Sequence, residues 1–461
     1  MFSITDTGQP QNCEGRSRRD FLRVGALGLG GLSLADLLAH KALAAKAGLP
    51  VRDKSVVLLF LTGGPSQIET FDPKMTAPAD TRSVTGEVKT SIPGVTFGGT
   101  FPLLAQQAHR MAVVRSFTHS NANHTGGVQD VMRGRSPTGA GMGSLATRAR
   151  GSTYTRTGIP THIDLGENET DPQFDKERLR LLEAAGPGQF GVAFKPFQTT
   201  GDGPLNQDLK LNIPRRRLDE RRSLRRALDQ HRRRLDAHGE RAGLDTFEQQ
   251  AYDIILGKAR DAFDLSKEDP RLVRRYDTSR FNTALRVKHR ASTVGKQLLL
   301  ARRLCEAGCG FVTIHNPGWD MHGGNTQFNL PQGMEKLGRP IDQAVAAFLE
   351  DVAQRGLSEK ILLVITGEFG RTPKVKSNGG RDHWPRLSTL AFAGGGLKMG
   401  QVIGESDRHA AEPAARPVHP RHLMATIMHT LFDIGQLRVT AGIPKPVIDA
   451  IAAGEPIEEL V

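Results

Sequence analysis

The sequence predicts an α/β fold in which a mostly parallel sheet is covered by helices on both faces. Short apolar runs rich in β-branched residues recur along the chain, and stretches of helical periodicity separate them. The runs are apolar throughout rather than alternating with polar residues. Strands of that composition are buried on both faces, which is typical of parallel sheets between two helical layers.

The predicted elements alternate in chain order. Strands are predicted at 56–61, 111–114, 311–315, 361–366 and 390–393, and helices at 103–109, 294–307, 344–354 and 421–434. Because ligands bind beyond the carboxyl ends of parallel strands, we expect the functional residues in the loops that follow these runs.

Length and composition are those of a globular protein with a large core. The chain has 461 residues, of which 38% are apolar and 24% charged, and its 51 Gly and 26 Pro follow no period. This composition excludes collagen-like, coiled-coil and wholly disordered chains. We predict a single domain over residues 50–461.

The N-terminus predicts export. Arg18 and Arg19 precede Phe21 and an uncharged run at 24–35, which is the arrangement of a twin-arginine signal peptide. Small residues around Ala44 predict cleavage there, so residues 1–44 form the signal. The run is far shorter than the ~20 residues that span a bilayer, so no permanent membrane anchor is expected. The expected partner is the twin-arginine translocase, and the expected location is periplasmic or extracellular.

The cysteines predict no disulfide framework. Cys13 lies in the signal, which leaves Cys305 and Cys309 in the mature chain. Without a second Cys or His pair nearby, their spacing is weak evidence for a metal site, so both are interpreted as small core residues.

A basic helical insertion is predicted at about 205–300. Residues 210–241 hold 12 basic and five acidic residues, which is much of the formal net charge of +13. We favour a solvated helix, and the alternative is a basic lid that attracts an anionic polymer. Arginines without interleaved aromatic residues, on an exported chain, argue against a nucleic-acid partner.

Polar side chains cluster in the loops where the sheet predicts a site. Asp320 and His322 follow the strand at 311–315, Glu368 and Arg371 follow the strand at 361–366, and His383 lies shortly beyond. Mixed oxygen and nitrogen ligands of this kind suit zinc, manganese or iron. The sequence therefore predicts a divalent metal site.

The order of these motifs resembles the alkaline phosphatase and sulfatase superfamily, within a family of twin-arginine-exported, sulfatase-like proteins of unassigned function. The resemblance runs from the segment 56–66 through 72–74 to the helix at 422–434, and it implies an alkaline-phosphatase-like fold. It also implies a metal-ligand set, which consists of Asp320, His322, Glu368 and His383.

Two departures from the superfamily pattern point to one metal ion rather than two. Phe369 stands where the pattern has a second histidine, and a phenyl ring cannot coordinate a metal. Thr62 and Gly63 stand where the first strand is followed by an aspartate, which leaves Glu69 or Asp72 as displaced substitutes.

The nucleophile position of the superfamily is also changed. Counting back from Gly134 places His124 there, with Thr125 beside it. His124 could attack phosphorus, ligate the metal or act as general acid and base, or it could simply neighbour a helix cap at Asn123. A formylglycine mechanism needs Cys or Ser at this position and is rejected.

The leading hypothesis is an exported metallohydrolase of phosphate or sulfate esters, with an anionic small molecule or polysaccharide ester as substrate. Arg371, with Arg133 or Arg381, would hold the anionic group by paired hydrogen bonds. The alternative is a non-catalytic periplasmic binding or assembly protein on the same fold, since fold alone does not establish activity.

Overall fold

The structure is a computed structural model that describes residues 50–166, 174–199, 214–232, 252 and 259–461. The predicted signal peptide at 1–44 lies outside the described residues. So do two parts of the predicted basic insertion, the stretches before residue 214 and between 232 and 259 apart from Tyr252.

An eight-stranded sheet forms the centre of the fold. Its strands, in chain order, are β1 (Ser55–Leu61), β2 (Met111–Val114), β3 (His162–Leu165), β4 (Phe197–Gln198), β5 (Phe311–Asn316), β6 (Ile361–Thr366), β7 (Leu390–Gly394) and β8 (Gln401–Ile403). Across the sheet the order is β8-β2-β7-β6-β1-β5-β3-β4. Strand β7 is antiparallel to both its neighbours, and the remaining pairs are parallel.

The three longest strands lie side by side at the middle of the sheet. β1 pairs in parallel with β6 from Ser55 opposite Ile361, and with β5 from Val56 opposite Phe311. Every residue of β1 and β6 is buried, which explains their continuous apolar sequences. These registers place the carboxyl ends of all three strands at one edge.

Helices cover the sheet on both sides. They are α1 (Gln67–Thr70), α2 (Pro102–Gln106), α3 (His124–Arg133), α4 (Met142–Arg150), α5 (Asp175–Ala184), α6 (Arg215–Arg232), α7 (Arg260–Phe263), α8 (Pro270–Tyr276), α9 (Val294–Glu306), α10 (Leu330–Gly333), α11 (Arg339–Gln354), α12 (Pro420–Leu431), α13 (Ile434–Val439) and α14 (Lys445–Ile451). A π-helical turn, Met334–Gly338, joins α10 to α11.

Alternate residues of β1 enter two different hydrophobic cores. Val57 and Leu59 pack in one core with residues of α9 and α11, whereas Val56 and Leu58 pack in the other with residues of α3, α4 and α12. The side chains of a strand alternate between its faces, so the two cores lie on opposite faces of the sheet. The α/β class with helices on both faces is thereby confirmed.

Smaller elements complete the chain. Two-stranded ribbons pair Glu87–Lys89 with Thr96–Gly98, Thr153–Tyr154 with Ile159–Pro160, Gly370–Arg371 with His383–Trp384, and Glu405–Ser406 with Pro413–Ala415. Short 3₁₀ helices are Ala108–Arg110, Gly188–Phe190, Val192–Phe194, Leu265–Lys267 and Glu458–Leu460. None of the helices in the described residues is long and apolar enough to cross a membrane.

The described parts of the region 205–300 are of two kinds. In α6, residues 215–217 are exposed, and Arg215 and Arg216 form ion pairs with acids one turn later. By contrast, Phe263 of α7 and Tyr276 of α8 are buried in the same core as β1. Cys305 and Cys309 are free and buried, which confirms them as core residues.

Candidate metal centre

The candidate site lies at the edge of the sheet where β1, β5 and β6 end. The loop after β1 is tied to the loop after β5, since Thr62 N–H donates to Asn316 O at 3.0 Å and Trp319 N–H donates to Thr62 O at 3.0 Å. The ribbon that pairs Arg371 with His383 brings His383 to the same edge.

His124 reaches this edge from the first turn of α3. The side chain of Asn123 caps the helix by accepting from Thr125 N–H at 2.9 Å and Gly126 N–H at 3.3 Å. His124 is therefore both the neighbour of a helix cap and a member of the polar cluster. Thr125 is exposed beside it.

Asp320 is the centre of the cluster. Its Oδ1 atom lies 3.0 Å from His322 Nε2 and 3.1 Å from His383 Nε2, and its Oδ2 atom lies 3.5 Å from His124 Nε2. The two facing Nε2 atoms of His322 and His383 are only 2.9 Å apart. Three imidazoles thus point the same ring nitrogen at one carboxylate.

The opposite ring nitrogen of each histidine has its own acceptor. His124 Nδ1 lies 2.8 Å from Glu368 Oε1, His322 Nδ1 lies 2.9 Å from Asp382 Oδ1, and His383 Nδ1 lies 2.9 Å from the carbonyl oxygen of Ala122. A carbonyl or carboxylate only accepts, so the Nδ1 atom of each ring donates its hydrogen there, and Nε2 is the atom that faces Asp320 and could bind a metal ion. This is the usual arrangement of histidines that bind metals.

The ring packing matches this convergence. The His124 and His383 rings have centroids 4.4 Å apart with their planes at 73°, and the His322 and His383 centroids are 4.7 Å apart.

The charge balance favours a cation at this point. Burial alone would raise the pKa of Asp320, but hydrogen bonds from the three histidines and the charge of Arg371 hold it well below its usual range. Burial alone would lower the pKa of His124, but Asp320 and Glu368 raise it to about 9. A proton on His124 thus occupies the place that a metal ion would otherwise take.

The donor set fits a single divalent metal ion. Ligand atoms of His124, Asp320 and His383 all lie within 4.8 Å of one another. His322 is not part of that group, although its Nε2 atom lies 3.0 Å from Asp320 Oδ1. Imidazole nitrogens together with a carboxylate oxygen suit zinc, manganese or iron.

Glu368 lies one step behind this set. Its side chain is fully buried, and its Oε1 atom accepts from Gly63 N–H at 2.8 Å as well as facing His124. Its Oε2 atom has no hydrogen-bond partner among the described residues. Glu368, which the resemblance implied as a ligand, therefore contacts the cluster through His124.

Phe369 fills the position of the missing second histidine. It is fully buried, and its ring centroid lies 4.5 Å from that of His383 and 5.1 Å from that of His124. A side chain on Gly64 would approach the Phe369 ring to 2.5 Å. The Phe369 ring thus packs against two histidine rings of the cluster and offers no donor atom of its own.

The two proposed substitutes for a first-strand aspartate are engaged elsewhere. Glu69 is fully buried, pairs with Arg381 at 3.3 Å, and accepts from Ser83 Oγ at 2.7 Å. Asp72 lies 3.4 Å from Lys74 Nζ and 3.5 Å from Arg115 Nη1. Neither carboxylate belongs to the metal cluster.

Two of the three arginines expected to hold an anionic group, Arg371 and Arg381, are fully buried. Arg371 is fully buried, where Nη2 donates to Asp320 Oδ1 at 2.6 Å and Nε donates to Gly64 O at 2.8 Å. Arg381 is also fully buried against Glu69. Arg133 is half-buried and donates to Glu183 O at 3.2 Å. The sequence showed the charge of Arg371 and Arg381 but not their burial.

Three supporting residues were missed from the sequence. Asp382 orients His322, the amide of Gln327 donates to Asp320, and His119 Nε2 lies 2.6 Å from the backbone oxygen of Glu368. Asp382 adjoins a predicted ligand, His383, and this adjacency was the one signal that could have revealed it.

The family model described as "Protein of unknown function (DUF1501)" matches residues 53–461 of the chain. No curated protein matches it.

Several solved structures are similar in overall course. PsFucS1 sulfatase from Pseudoalteromonas sp. is 11% identical with a TM-score of 0.34, and 86% of this chain and 70% of that chain are covered. Phosphonate monoester hydrolase SpPMH from Silicibacter pomeroyi is 12% identical with a TM-score of 0.35, and the match covers 88% of this chain and 76% of that chain. TAB5 alkaline phosphatase is 12% identical with a TM-score of 0.33, and the match covers 82% of this chain and 99% of that chain. These likenesses are too distant to indicate an activity.

Proposed function

We propose that this chain, which belongs to the DUF1501 family, is an exported metal-dependent hydrolase of phosphate or sulfate esters. The observation that carries the proposal is the convergence of three histidine Nε2 atoms on Asp320, each ring held from behind at Nδ1.

The metal would be held by His124, Asp320, His322 and His383. When bound, a divalent ion in such a set polarises an ester oxygen and lowers the pKa of water. Glu368 would keep His124 in the tautomer that ligates, and Asp382 would do the same for His322. We thus assign His124 to metal binding rather than to nucleophilic attack.

Arg371 would act as a positioning residue. Its Nη2 atom contacts Asp320 at 2.6 Å, which fixes the carboxylate, and also donates to Trp319 O in the loop after β5. Its Nε atom donates to Gly64 O in the loop after β1. Thr125 remains the candidate hydroxyl at the same helix end, because it is exposed one residue after His124.

The substrate class follows from charge. A metal ion attracts an anionic ester oxygen, and Lys376 adds a half-exposed cation 2.7 Å from Asp382, which contacts His322. An anionic small molecule or polysaccharide ester fits this setting. Export by the twin-arginine translocase to the periplasm or beyond completes the proposal.

A turnover assay with metal add-back tests the activity. Aryl phosphate, aryl phosphodiester and aryl sulfate are offered to the chelator-treated protein before and after zinc, manganese or iron(II) is restored. We expect one ester class to be hydrolysed only with metal. The matched control is His322→Ala, which should stay inactive at every metal concentration. Turnover that requires neither added metal nor His322 would contradict the proposal.

A second candidate is a non-catalytic periplasmic binding or assembly protein. It is favoured by Phe369, which removes a ligand donor, and by the burial of Arg371 and Arg381. In that case the protein would bind one metal ion, yet none of the three esters would be turned over.

A further inference from the structure

A cavity of about 640 Å³ lies away from the metal ligands. It opens between the turn after α3, the first turn of α12 and the residues that follow α14. The lining combines two arginines, several hydroxyl groups and an apolar floor. The members used below are Arg135, Arg421, Thr118, Ser120, Ser136 and Met424.

The lining carries positive charge. Arg135 and Arg421 contribute two guanidinium groups, and no acidic side chain is among the described residues that line the cavity. Arg135 pairs with Asp130, whose Oδ2 atom lies 3.2 Å from Arg135 Nη2 outside the lining.

Both guanidinium groups keep donors for a ligand. Within the described part of the chain, the hydrogen bonds of Arg135 use Nη2, toward Asp130 and Ser120, and that of Arg421 uses Nε, toward His422. The remaining N–H groups can donate to the oxygens of an anion, and hydroxyls of Thr118 and Ser136 line the same space.

The backbone holds Arg135 at the cavity in an unfavourable conformation. Arg135 has φ of 60°, in the left-handed region that non-glycine residues rarely adopt. It follows Gly134, where a side chain would come within 2.5 Å of Met424 Sδ. Packing against α12 thus maintains the strained turn, and strain of this kind clusters at binding sites.

The cavity is connected to the candidate metal centre through His119 and Glu368. His119 lines the cavity, and its Nε2 atom lies 2.6 Å from the backbone oxygen of Glu368. A ligand in the cavity would therefore contact His119, which holds the backbone of Glu368, without touching the candidate metal ligands.

We propose that this cavity binds a phosphate or sulfate group carried on a small apolar body. The anion would lie between Arg135 and Arg421, and the apolar body would pack on Met424 and the alanines of the floor. This binding goes beyond the proposed function, because it requires neither metal nor turnover.

Calorimetric titration of the chelator-treated protein tests the proposal. The probes are phenylphosphonate and benzenesulfonate, which contain no ester to hydrolyse, and benzamide is the uncharged comparison. We expect at least one anion to bind, with affinity that falls as salt rises, and benzamide to bind much more weakly. Phenylphosphonate alone would identify a phosphate site, and benzenesulfonate alone would identify a sulfate site.

Variants locate the binding. Arg135→Gln with Arg421→Gln should weaken it about tenfold or more, whereas Arg438→Gln, an exposed arginine on α13, should leave it unchanged. Arg421→Gln alone serves if the double variant does not fold, with a weaker loss expected. Equal binding of benzamide, or unchanged anion binding in the cavity variants, would overturn the proposal.

Discussion

Each histidine of the candidate metal centre has a different kind of hydrogen-bond partner at its Nδ1 atom. His124 depends on the buried Glu368, His322 on the half-exposed Asp382, and His383 on the backbone of Ala122. Only the first two can be changed by substitution without touching a ligand. Of these, Asp382 is the cleaner test, because Glu368 also receives the backbone N–H of Gly63.

Asp382→Asn should lower metal affinity by about 10- to 100-fold, because an amide orients His322 Nδ1–H less firmly than a carboxylate does. Competition with a chromogenic chelator measures this affinity. Asp80→Asn is the matched control, since Asp80 is exposed and faces Lys374 at 3.9 Å. Equal affinity in both variants would show that Asp382 does not support the site.

A buried carboxyl near the site makes stability depend on pH. Burial, with the charges of Glu368 and Asp320, raises the pKa of Glu177 from 4.5 to about 8, although Gly318 N–H donates to it at 2.9 Å. The folded state therefore keeps a proton that the unfolded state has lost above pH 4.5. This contribution to stability is complete below that pH and is lost as pH rises through about 8.

Glu177→Gln should flatten this dependence in the chelator-treated protein, because an amide cannot ionise. Urea unfolding at pH 5 and pH 8 gives the free energy of unfolding at each. Glu183→Gln, an exposed position on the same helix, should keep the slope of the unchanged protein. A Glu177→Gln slope equal to that of the control would disprove the assignment.

At the scale of elements, the loop after β1 connects the loops that form the site. Gly63 donates its N–H to Glu368, and its carbonyl accepts from Arg371. With φ of 111°, it also passes so close to the loop after β5 that a Cβ atom would lie 2.3 Å from Asp320 N. Glycine is required here by both conformation and space.

Gly63→Ala should destabilise the protein by more than about 3 kcal/mol, because left-handed strain and a backbone clash add. Gly86→Ala is the control. Gly86 also has positive φ, but a Cβ atom there would meet nothing within 4 Å, so only the strain of about 1–2 kcal/mol applies. Chemical denaturation compares them, and equal losses would refute the close-approach explanation.

The central strands were predictable, whereas two short strands on one side of the sheet, β3 and β4, were not. Runs such as 56–61 and 361–366 are continuous and apolar, so they predict strands that are buried on both faces. Strand β3 carries His162 and Asp164, both buried, and β4 has only two residues. β3 alternates polar and apolar residues over only four positions, and two residues carry no pattern, so neither segment is long enough to be recognised as a strand.

The proximity of the candidate ligands could be predicted in part for the same reason. Asp320 and His322 follow a recognisable strand, as does Glu368, so topology alone brings them to one edge. The assignment of roles between Glu368 and His124 was not predictable, because it depends on a few ångströms of side-chain placement. The burial of Arg371 depends on loop packing, which local sequence does not encode.

At the scale of the whole molecule, a predicted signal peptide precedes a domain with a candidate metal centre. The signal is a prediction from Arg18, Arg19 and the short apolar run, and it lies outside the described residues. A folded, metal-loaded passenger is what the twin-arginine route carries.

Replacing both Arg18 and Arg19 with Lys should leave the precursor in the cytoplasm, because the paired arginines are the element that the translocase recognises. Cell fractionation with immunoblotting of the full chain measures the distribution. Lysine at Arg23 serves as the control, because Arg23 lies outside the pair. Normal periplasmic delivery of the double variant would remove the export assignment.

Metal content of the purified chain tests the central claim most directly. Mass spectrometric metal analysis should find close to one zinc, manganese or iron ion per chain, and its near absence in both His322→Ala and His383→Ala, with circular dichroism showing that the fold is kept. Full occupancy in both variants, or no metal in the unchanged protein after zinc, manganese and iron have been supplied, would contradict the claim that His124, Asp320, His322 and His383 form a metal site.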